Sequence, residues 1–510
     1  MIMPLLNSIL NWVNTKRLYS IDLFRKYPFE VQRDVLFELL KQGSKTEYGA
    51  RYGFDGIRTI EEFQKRVPLV DYETIKPYIE RLRQGEEKLL WPTDIKWFAK
   101  SSGTTQSKSK FIPVSNEALE DCHFRGARDV LAIYMNLYPD NNLLSGKGLT
   151  LGGSHQVDNF NMNSFYGDLS AILIENQPWW AEFIRTPSQK VALIPDWEEK
   201  LEKLTHETLN ENVTSLAGVP SWNLVMIKHL LNYTGKSNLL EIWPNLELFM
   251  HGGVSFAPYR DQFQKVIPSP NMHYMETYNA SEGFFAIQDD PASDSMLLML
   301  DYGIFYEFVP LDELTKPNPT ALTIADVEVG RNYAMVITTN SGLWRYLIGD
   351  TVTFTSKYPH KIKITGRTRH FINVFGEEVI VENAERALEK ACKATGALVA
   401  EYTAAPVYMG TDRKGCHEWF IEFVKQPSSI EEFARVLDST LCEVNSDYEA
   451  KRAKNVTLDF PVVTQAVQGT FFEWMRQRGK LGGQNKVPRL SNTREYIDEL
   501  LAIHNQLKSK

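Results

Sequence analysis

The stretch from residue 148 to residue 251 constrains the fold most. Four short apolar runs, Gly148–Leu151, Val191–Ile194, Ser215–Val219 and Leu246–His251, read as buried strands. The segments between them are long enough to hold helices. Asp196 to Leu209 is one, with acids in its first turn where the helix dipole favours them. Pro220-Ser221-Trp222 opens another that continues to Leu231. Strands spaced this way cannot pair through tight hairpins. Crossover helices between them predict layers of α/β structure with parallel sheets.

The flanking regions have a different character. Phe29 to Leu40 places Val31, Val35, Leu36, Leu39 and Leu40 near the helical period. Thr59 and Asp71 stand where helix caps belong, the second ahead of a helix from Tyr72 to Arg83. The first residues predict a short amphipathic helix packed on the body. From Met296 to Phe354 the chain turns strand-rich, as in Met335–Thr339 and Thr351–Thr355. After Gly366-Arg367 it resets: Glu382 to Thr395 is helical, Glu418–Val424 alternates as a strand, and Ser428 to Asn445 is helical. The expected organisation is a large N-terminal domain, 1–366, of parallel α/β layers with a β-rich subdomain. A hinge at 367–370 then leads to a small C-terminal α+β domain, 371–510.

Composition excludes several classes. Hydrophobic residues are 43% and charged residues 24%, which suits a globular chain and not a disordered one. Lys+Arg number 56 against 64 Asp+Glu, and the net charge of −8 argues against a nucleic-acid binder. Cys122, Cys392, Cys416 and Cys442 form no CxxC pair and read as reduced thiols. Cys416-His417 has no matching ligands near it in sequence, so no zinc site is expected. Apolar runs such as Met296–Leu300 are far shorter than the ~20 residues of a membrane span. The N-terminus lacks the leading charge of a signal peptide. The expectation is a cytoplasmic protein with no membrane partner.

Five segments carry chemistry. Lys100-Ser-Ser-Gly-Thr-Thr-Gln-Ser-Lys-Ser-Lys110 combines a glycine turn, hydroxyls and ammonium groups, which suits polyphosphate. It is not the GxxxxGK[ST] loop. Met275-Glu-Thr-Tyr-Asn-Ala-Ser-Glu-Gly283 reads as a loop offering Glu282 to Mg²⁺ and Tyr278 to a base. Gly349-Asp350 reads as an acid at a strand end, able to accept two ribose hydroxyls. Ile364-Thr-Gly-Arg367 places a cation at the domain junction. Lys480-Leu-Gly-Gly-Gln-Asn-Lys-Val-Pro-Arg489 presents Lys486 on a glycine-rich loop, suited to a developing negative charge. Each one alone also reads as a polar surface loop or turn.

Together and in this order they resemble a family. Ser101-Ser-Gly-Thr-Thr105, Tyr278-Asn-Ala-Ser-Glu-Gly283 and Arg345-Tyr-Leu-Ile-Gly-Asp350 look like the nucleotide motifs of the plant auxin-responsive acyl-acid amido synthetases, the Gretchen Hagen family. Gln484-Asn-Lys-Val-Pro-Arg489 is similar to that family's C-terminal motif. The family belongs to the adenylate-forming superfamily, with acyl-CoA ligases, luciferases and peptide-synthetase adenylation domains. The resemblance implies that superfamily's fold, ATP and Mg²⁺ as cofactors, and a monomer. It implies that Ser101, Ser102, Gly103, Thr104 and Thr105 cradle the ATP phosphates. Gly252, Gly253 and Val254 would lie beside adenine, with Tyr278 stacked on the ring and Ser281 in the same site. Glu282 would hold Mg²⁺, Asp350 the ribose, and Arg367 would assist. Lys486 would reach from a rotating small domain to the carboxylate and α-phosphate. Gln106 before Ser107-Lys108, Ala280 and Trp344 depart from the plant pattern and point to a distant, bacterial member.

The implied reaction joins a small carboxylic acid to an amino acid or amine through an acyl-adenylate. An acyl-CoA synthetase and a catalytically dead nucleotide-binding scaffold are the alternatives. Gly218–Trp222, Phe165, Tyr166, Trp179 and Trp180 are candidates for the acyl pocket, though such aromatics are more often plain core. His155 and His251 are weaker site candidates.

Overall fold

Among the described residues, eleven strands form the central sheet of this computed structural model. The structure describes residues 2–104, 107–152, 158–161, 164–254, 256, 259–314, 316–367, 371–410, 414–453, 458–478 and 487–508, with backbone alone at 2–13, 102–104, 107–108, 158–161, 197, 221 and 382. Five neighbouring strands run parallel: Arg185–Thr186, Lys147–Thr150, Val213–Gly218, Leu248–Gly252 and His273–Ala280. Helices Trp197–Thr208, Pro220–Thr234 and Arg260–Val266 make the crossovers. The sheet continues antiparallel through Gly283–Ile287, Met296–Leu298, His360–Arg367, Tyr346–Lys357, Asn332–Thr339 and Ile304–Pro310. Every residue of Ile304–Pro310 is buried, so this edge is covered on both faces. The N-terminal helices, among them Pro28–Gly43, pack over it in one apolar cluster.

The helices start where their caps say. Thr59 Oγ1 accepts from the Glu62 amide at 3.1 Å, and Asp71 Oδ1 from the Thr74 amide at 3.0 Å. Asp196 and Ser429 cap their helices in the same way. Two expectations change. Val191–Ile194 is not a strand: Gln189–Ala192 is one helical turn, wedged between Leu169–Glu175 and Trp197–Thr208. Four apolar residues carry no period that separates a helical turn from a strand. The strand beside Lys147–Thr150 is instead Arg185–Thr186. The first helix is also not short; it spans Ile2–Lys26. Its Arg17 shares its Nε–H between the two carboxylate oxygens of Asp129 and pairs through both terminal nitrogens with Asp301.

A second sheet of four strands contains the hairpin Trp97–Thr104/Ser107–Val114. The small domain begins with the strand pair Phe371–Ile372/Val379–Ile380 and builds a sheet from Leu398–Val407, Cys416–Lys425 and Val462–Gln465. Alternation along Cys416–Lys425 splits its side chains between two cores. Trp419 and Ile421 join Phe433 and Leu437, while Phe420 joins Phe471, Trp474 and Leu500. The first of these cores runs on into the large domain through Phe249 and Tyr259. Three side chains of the large domain grip small-domain carbonyls across this seam: Tyr259 to Val374, Gln262 to Met409 and Lys228 to Gly410.

Arg345 ties the N-terminal helices to the sheet. It is 5% exposed, adopts φ +45°, and binds Glu307 through two bonds of 2.9 Å. Its remaining nitrogen donates to the carbonyls of Gln64 and Val67. Breaking a buried pair strands one charge in the core. Arg345→Met should therefore lose about 3–5 kcal/mol of stability in urea titration, with Arg345→Met/Glu307→Met recovering part of it.

Candidate active site

The carboxyl ends of parallel strands leave a crevice where ligands bind, and two neighbouring ends, at Gly252 and Ala280, carry candidate residues here. Strand Leu248–Gly252 delivers Gly252, Gly253 and Val254 to that edge. Gly252 is obligatory, because a Cβ there would stand 2.4 Å from the Thr277 carbonyl. Gly253 turns the chain at φ +80°. The next strand ends in a two-residue turn of Ser281 and Glu282 before Gly283–Ile287 returns. The segment is therefore a hairpin rather than an open loop, and that fixes Glu282 at the sheet edge. The run at Ser101 is also a hairpin. Ser101, Ser102, Gly103 and Thr104 lie in its first strand, so Gly103 is a strand residue and not a turn glycine. Thr105 lies outside the described residues. Tyr72 Oη accepts from the Phe111 amide at 2.9 Å and anchors the returning strand.

Asp350 does not stand at a strand end. It lies within Tyr346–Lys357, at a break in register. Ala334 faces Thr351 and Val336 faces Leu347, so Ile348, Gly349 and Asp350 bulge opposite one residue. Gly349 at φ +95° permits the bulge. The bulge aims Asp350 at its neighbours. Tyr278 donates to Oδ2 at 2.6 Å, and Arg367 Nε lies 3.0 Å from Oδ1. Arg367 also binds Glu378 of the small domain. Tyr278 is 4% exposed, with its ring tilted on Phe285. Burial and the Asp350 charge hold its hydroxyl far above the usual phenol range.

Glu282 lies in the same electrostatic neighbourhood. Burial pushes its carboxyl up to about 7, against the attraction of Lys110 and Arg367 and helped by repulsion from Asp350. No side chain donates a hydrogen bond to it among the described residues. A buried carboxylate with free lone pairs fits a hard divalent cation such as Mg²⁺. The structure thus gathers Tyr278, Glu282, Asp350 and Arg367, with Lys110 from the hairpin. Lys486 lies outside the described residues. The residues after it run beside Leu398–Val407, where Thr403 Oγ1 donates to the Pro488 carbonyl at 2.7 Å.

Several candidates fall away. Trp179 is 78% exposed and Trp180 is also exposed, so neither lines a closed pocket. The short turn that bears them, Trp179–Phe183, buries none of its residues. Trp344 is a buried anchor, donating to the Leu90 carbonyl at 3.0 Å. His251 is stacked on Phe256 and burial takes it down to about 3, so it is neutral. His155 is outside the described residues. His417 faces Glu377 at 2.8 Å in a fully buried pair. Sequence reasoning missed Glu378 and Asp447, both at the domain seam. Glu378 has φ +40°, which follows from the tight turn at Gly376. The Gly-Glu-Glu of 376–378 was its one signal. Asp447, in Asn445-Ser-Asp, looks like any helix start.

Three family models match the chain in order. They are the GH3 family N-terminal domain over residues 17–272, the GH3 family central domain over 297–367 and the GH3 family C-terminal domain over 382–495. An indole-3-acetic acid-amido synthetase, GH3.3, of Arabidopsis thaliana is 24% identical, with 90% of this chain and 89% of the relative aligned. The 4-substituted benzoates-glutamate ligase GH3.12 of the same plant is 23% identical, over 90% of this chain and 92% of the relative. The solved GH3.15 acyl acid amido synthetase superposes with a TM-score of 0.59 at 19% identity, covering 93% of each chain. A 2-hydroxyisobutyryl-CoA ligase superposes at 0.55 and 14% identity, covering 94% and 92%. The fold is the one these adenylate-forming enzymes share.

The Glu282 environment has a pH signature. A carboxyl raised from 4.5 to about 7 keeps, in the folded state, a proton that the unfolded chain has released, so stability falls as pH rises through that window. Without nucleotide, Glu282→Gln should be about 1–3 kcal/mol more stable than the parent at pH 8. The gain should vanish at pH 4. Thermal melts at the two pH values measure it.

Proposed function

Because the chain belongs to the GH3 family, we propose that it is an ATP-dependent acyl-acid amido synthetase. It joins a small carboxylic acid to an amino acid or amine and forms a carbon–nitrogen bond. One observation carries the reading: Tyr278, Glu282, Asp350 and Arg367 converge at the carboxyl edge of the parallel strands, beside the Ser101 hairpin.

The chemistry follows from the substrate. A carboxylate is a poor acyl donor, because its leaving group would be oxide. Attack of the carboxylate on the α-phosphate of ATP gives an acyl-adenylate and releases pyrophosphate. An amine then displaces AMP. Transfer at phosphorus is mostly positioning and charge neutralisation. In this proposal the hydroxyls and amides of Ser101, Ser102, Gly103, Thr104 and Thr105 hold the phosphates. Gly252, Gly253, Val254, Tyr278 and Ser281 frame the adenine. Asp350 takes the ribose hydroxyls on lone pairs that Tyr278 and Arg367 leave free. Glu282 would hold Mg²⁺, which neutralises phosphate charge when bound. Lys486 approaches as the small domain turns about 367–370, where Gly366 has φ +143°.

Mg·ATP incubated with indole-3-acetate, a 4-substituted benzoate, short aliphatic acids and the twenty amino acids should yield AMP and pyrophosphate, and an amide by mass. ADP would overturn the reading. CoA offered in place of amino acids should give no thioester. Lys486→Ala should slow pyrophosphate release by about 100-fold or more, the scale of losing one electrostatic stabiliser. Undiminished adenylation in that variant would rule out the role given to Lys486.

A further inference from the structure

An amino acid reaches such a site as an ammonium ion, because an α-amino group titrates near ~8. An ammonium has no lone pair and cannot attack an acyl-adenylate. Something must remove a proton. The site's described carboxylates are mostly committed. Asp350 holds Tyr278 and Arg367, Glu378 holds Arg367, and Glu282 is the metal's candidate ligand. Asp168 has a partner of its own. Asp447 is different. Its carboxylate makes no hydrogen bond or ion pair among the described residues.

Asp447 is also well placed. It sits in the first turn of helix Ser446–Arg452, on the small-domain side of the seam. The preceding Ser446 accepts from Ser109 of the large-domain hairpin at 2.9 Å. Buried Asn445 fixes the local backbone. Its Oδ1 takes the Asp447 and Tyr448 amides, and its Nδ2 donates to the Glu378 carbonyl and to Asn383. One helical turn on, Lys451 lies 4.8 Å over the Trp222 ring. The charges that Asp447 feels are Glu378, Lys451, Asp168 and Lys100, and Lys100 is the residue that leads into the Ser101 run.

We propose that Asp447 is the catalytic base that deprotonates the incoming amine in the second half-reaction. The proposal rests on the amide-ligase reading above. The ammonium gives one proton to the Asp447 carboxylate. The amine's lone pair forms the C–N bond at the acyl carbon. The bond from that carbon to the phosphate oxygen then breaks. The phosphate oxygen leaves as AMP with the electron pair and takes the amine's second proton. Desolvation at the seam, joined by Glu378 and Asp168 and opposed by Lys451 and Lys100, raises the Asp447 carboxyl to about 7. A base of that strength suits proton transfer at neutral pH. The charged form predominates above that value, so the base works there and fails as pH falls below it.

Hydroxylamine tests this directly, because it is largely neutral at pH 7.5 and needs no base to attack. The full-length enzyme is given Mg·ATP and the acid that yields most AMP above, with either the preferred amino acid or hydroxylamine. For Asp447→Asn the ratio of amide to hydroxamate should fall about 100-fold, the scale of general base catalysis. Asp447→Glu should restore most of it. An unchanged ratio, with both products slowed together, would mean a structural role and overturn the proposal. If Asp447→Asn makes neither product, the parent's pH profile decides. A ratio flat from pH 7 to the amine's own pKa supports the base, and one rising about tenfold per pH unit there overturns it. No hydroxamate from the parent with any acid would instead defeat the ligase reading itself.

Discussion

One guanidinium holds the site together. Arg367 is the last residue of its strand and lies between Asp350 of the large domain and Glu378 of the small one. A half-buried cation still needs its charge met, and here the two acids that meet it come from opposite sides of the seam. Asp350 in turn takes the Tyr278 hydroxyl, and Arg367 offsets part of the repulsion between Asp350 and Glu282. Removing Asp350 would take away one of the charges that hold the Glu282 carboxyl and the Tyr278 hydroxyl high. The roles proposed for these residues at ribose, metal and domain closure therefore draw on one set of interacting charges.

Backbone geometry places the network. Parallel strands bring Gly252 and Glu282 to one edge, and the antiparallel continuation of the same sheet brings Asp350 and Arg367 opposite one another as cross-strand partners. The conformations that complete it are unusual. Gly349 has φ +95°, Gly366 +143° and Glu378 +40°. A left-handed glutamate is strained, and such strain collects where function demands a particular side-chain direction. Other parts of the sheet carry the ordinary burden of stability: Arg345 with Glu307, Trp344, and the covered edge strand.

The architecture was legible because hydrophobic period and caps are local. Thr59, Asp71, Asp196 and Ser429 announce helix starts by chemistry that acts over three residues. The α/β alternation likewise needs only segment lengths. Val191–Ile194 failed because four residues hold no period, and Trp179 failed because apolar composition does not say which side faces water. For the site, the motif resemblance named Tyr278, Glu282, Asp350 and Arg367, and these are neighbours. It said nothing of Glu378 or Asp447. Their significance comes from contacts across more than ten and more than three hundred positions of sequence, Arg367 to Glu378 and Ser109 to Ser446. No local pattern encodes such pairings.

The dependence of the proposed nucleotide site on Arg367 is measurable as a coupling energy. Calorimetric ATP affinities of the parent, Asp350→Asn, Arg367→Met and the double variant close a cycle. Groups in one charge network should couple by about 0.5–3 kcal/mol, the double variant losing less than the sum of the singles. Losses that add to within about 0.5 kcal/mol would mean that Asp350 and Arg367 act independently and that no shared network organises the site.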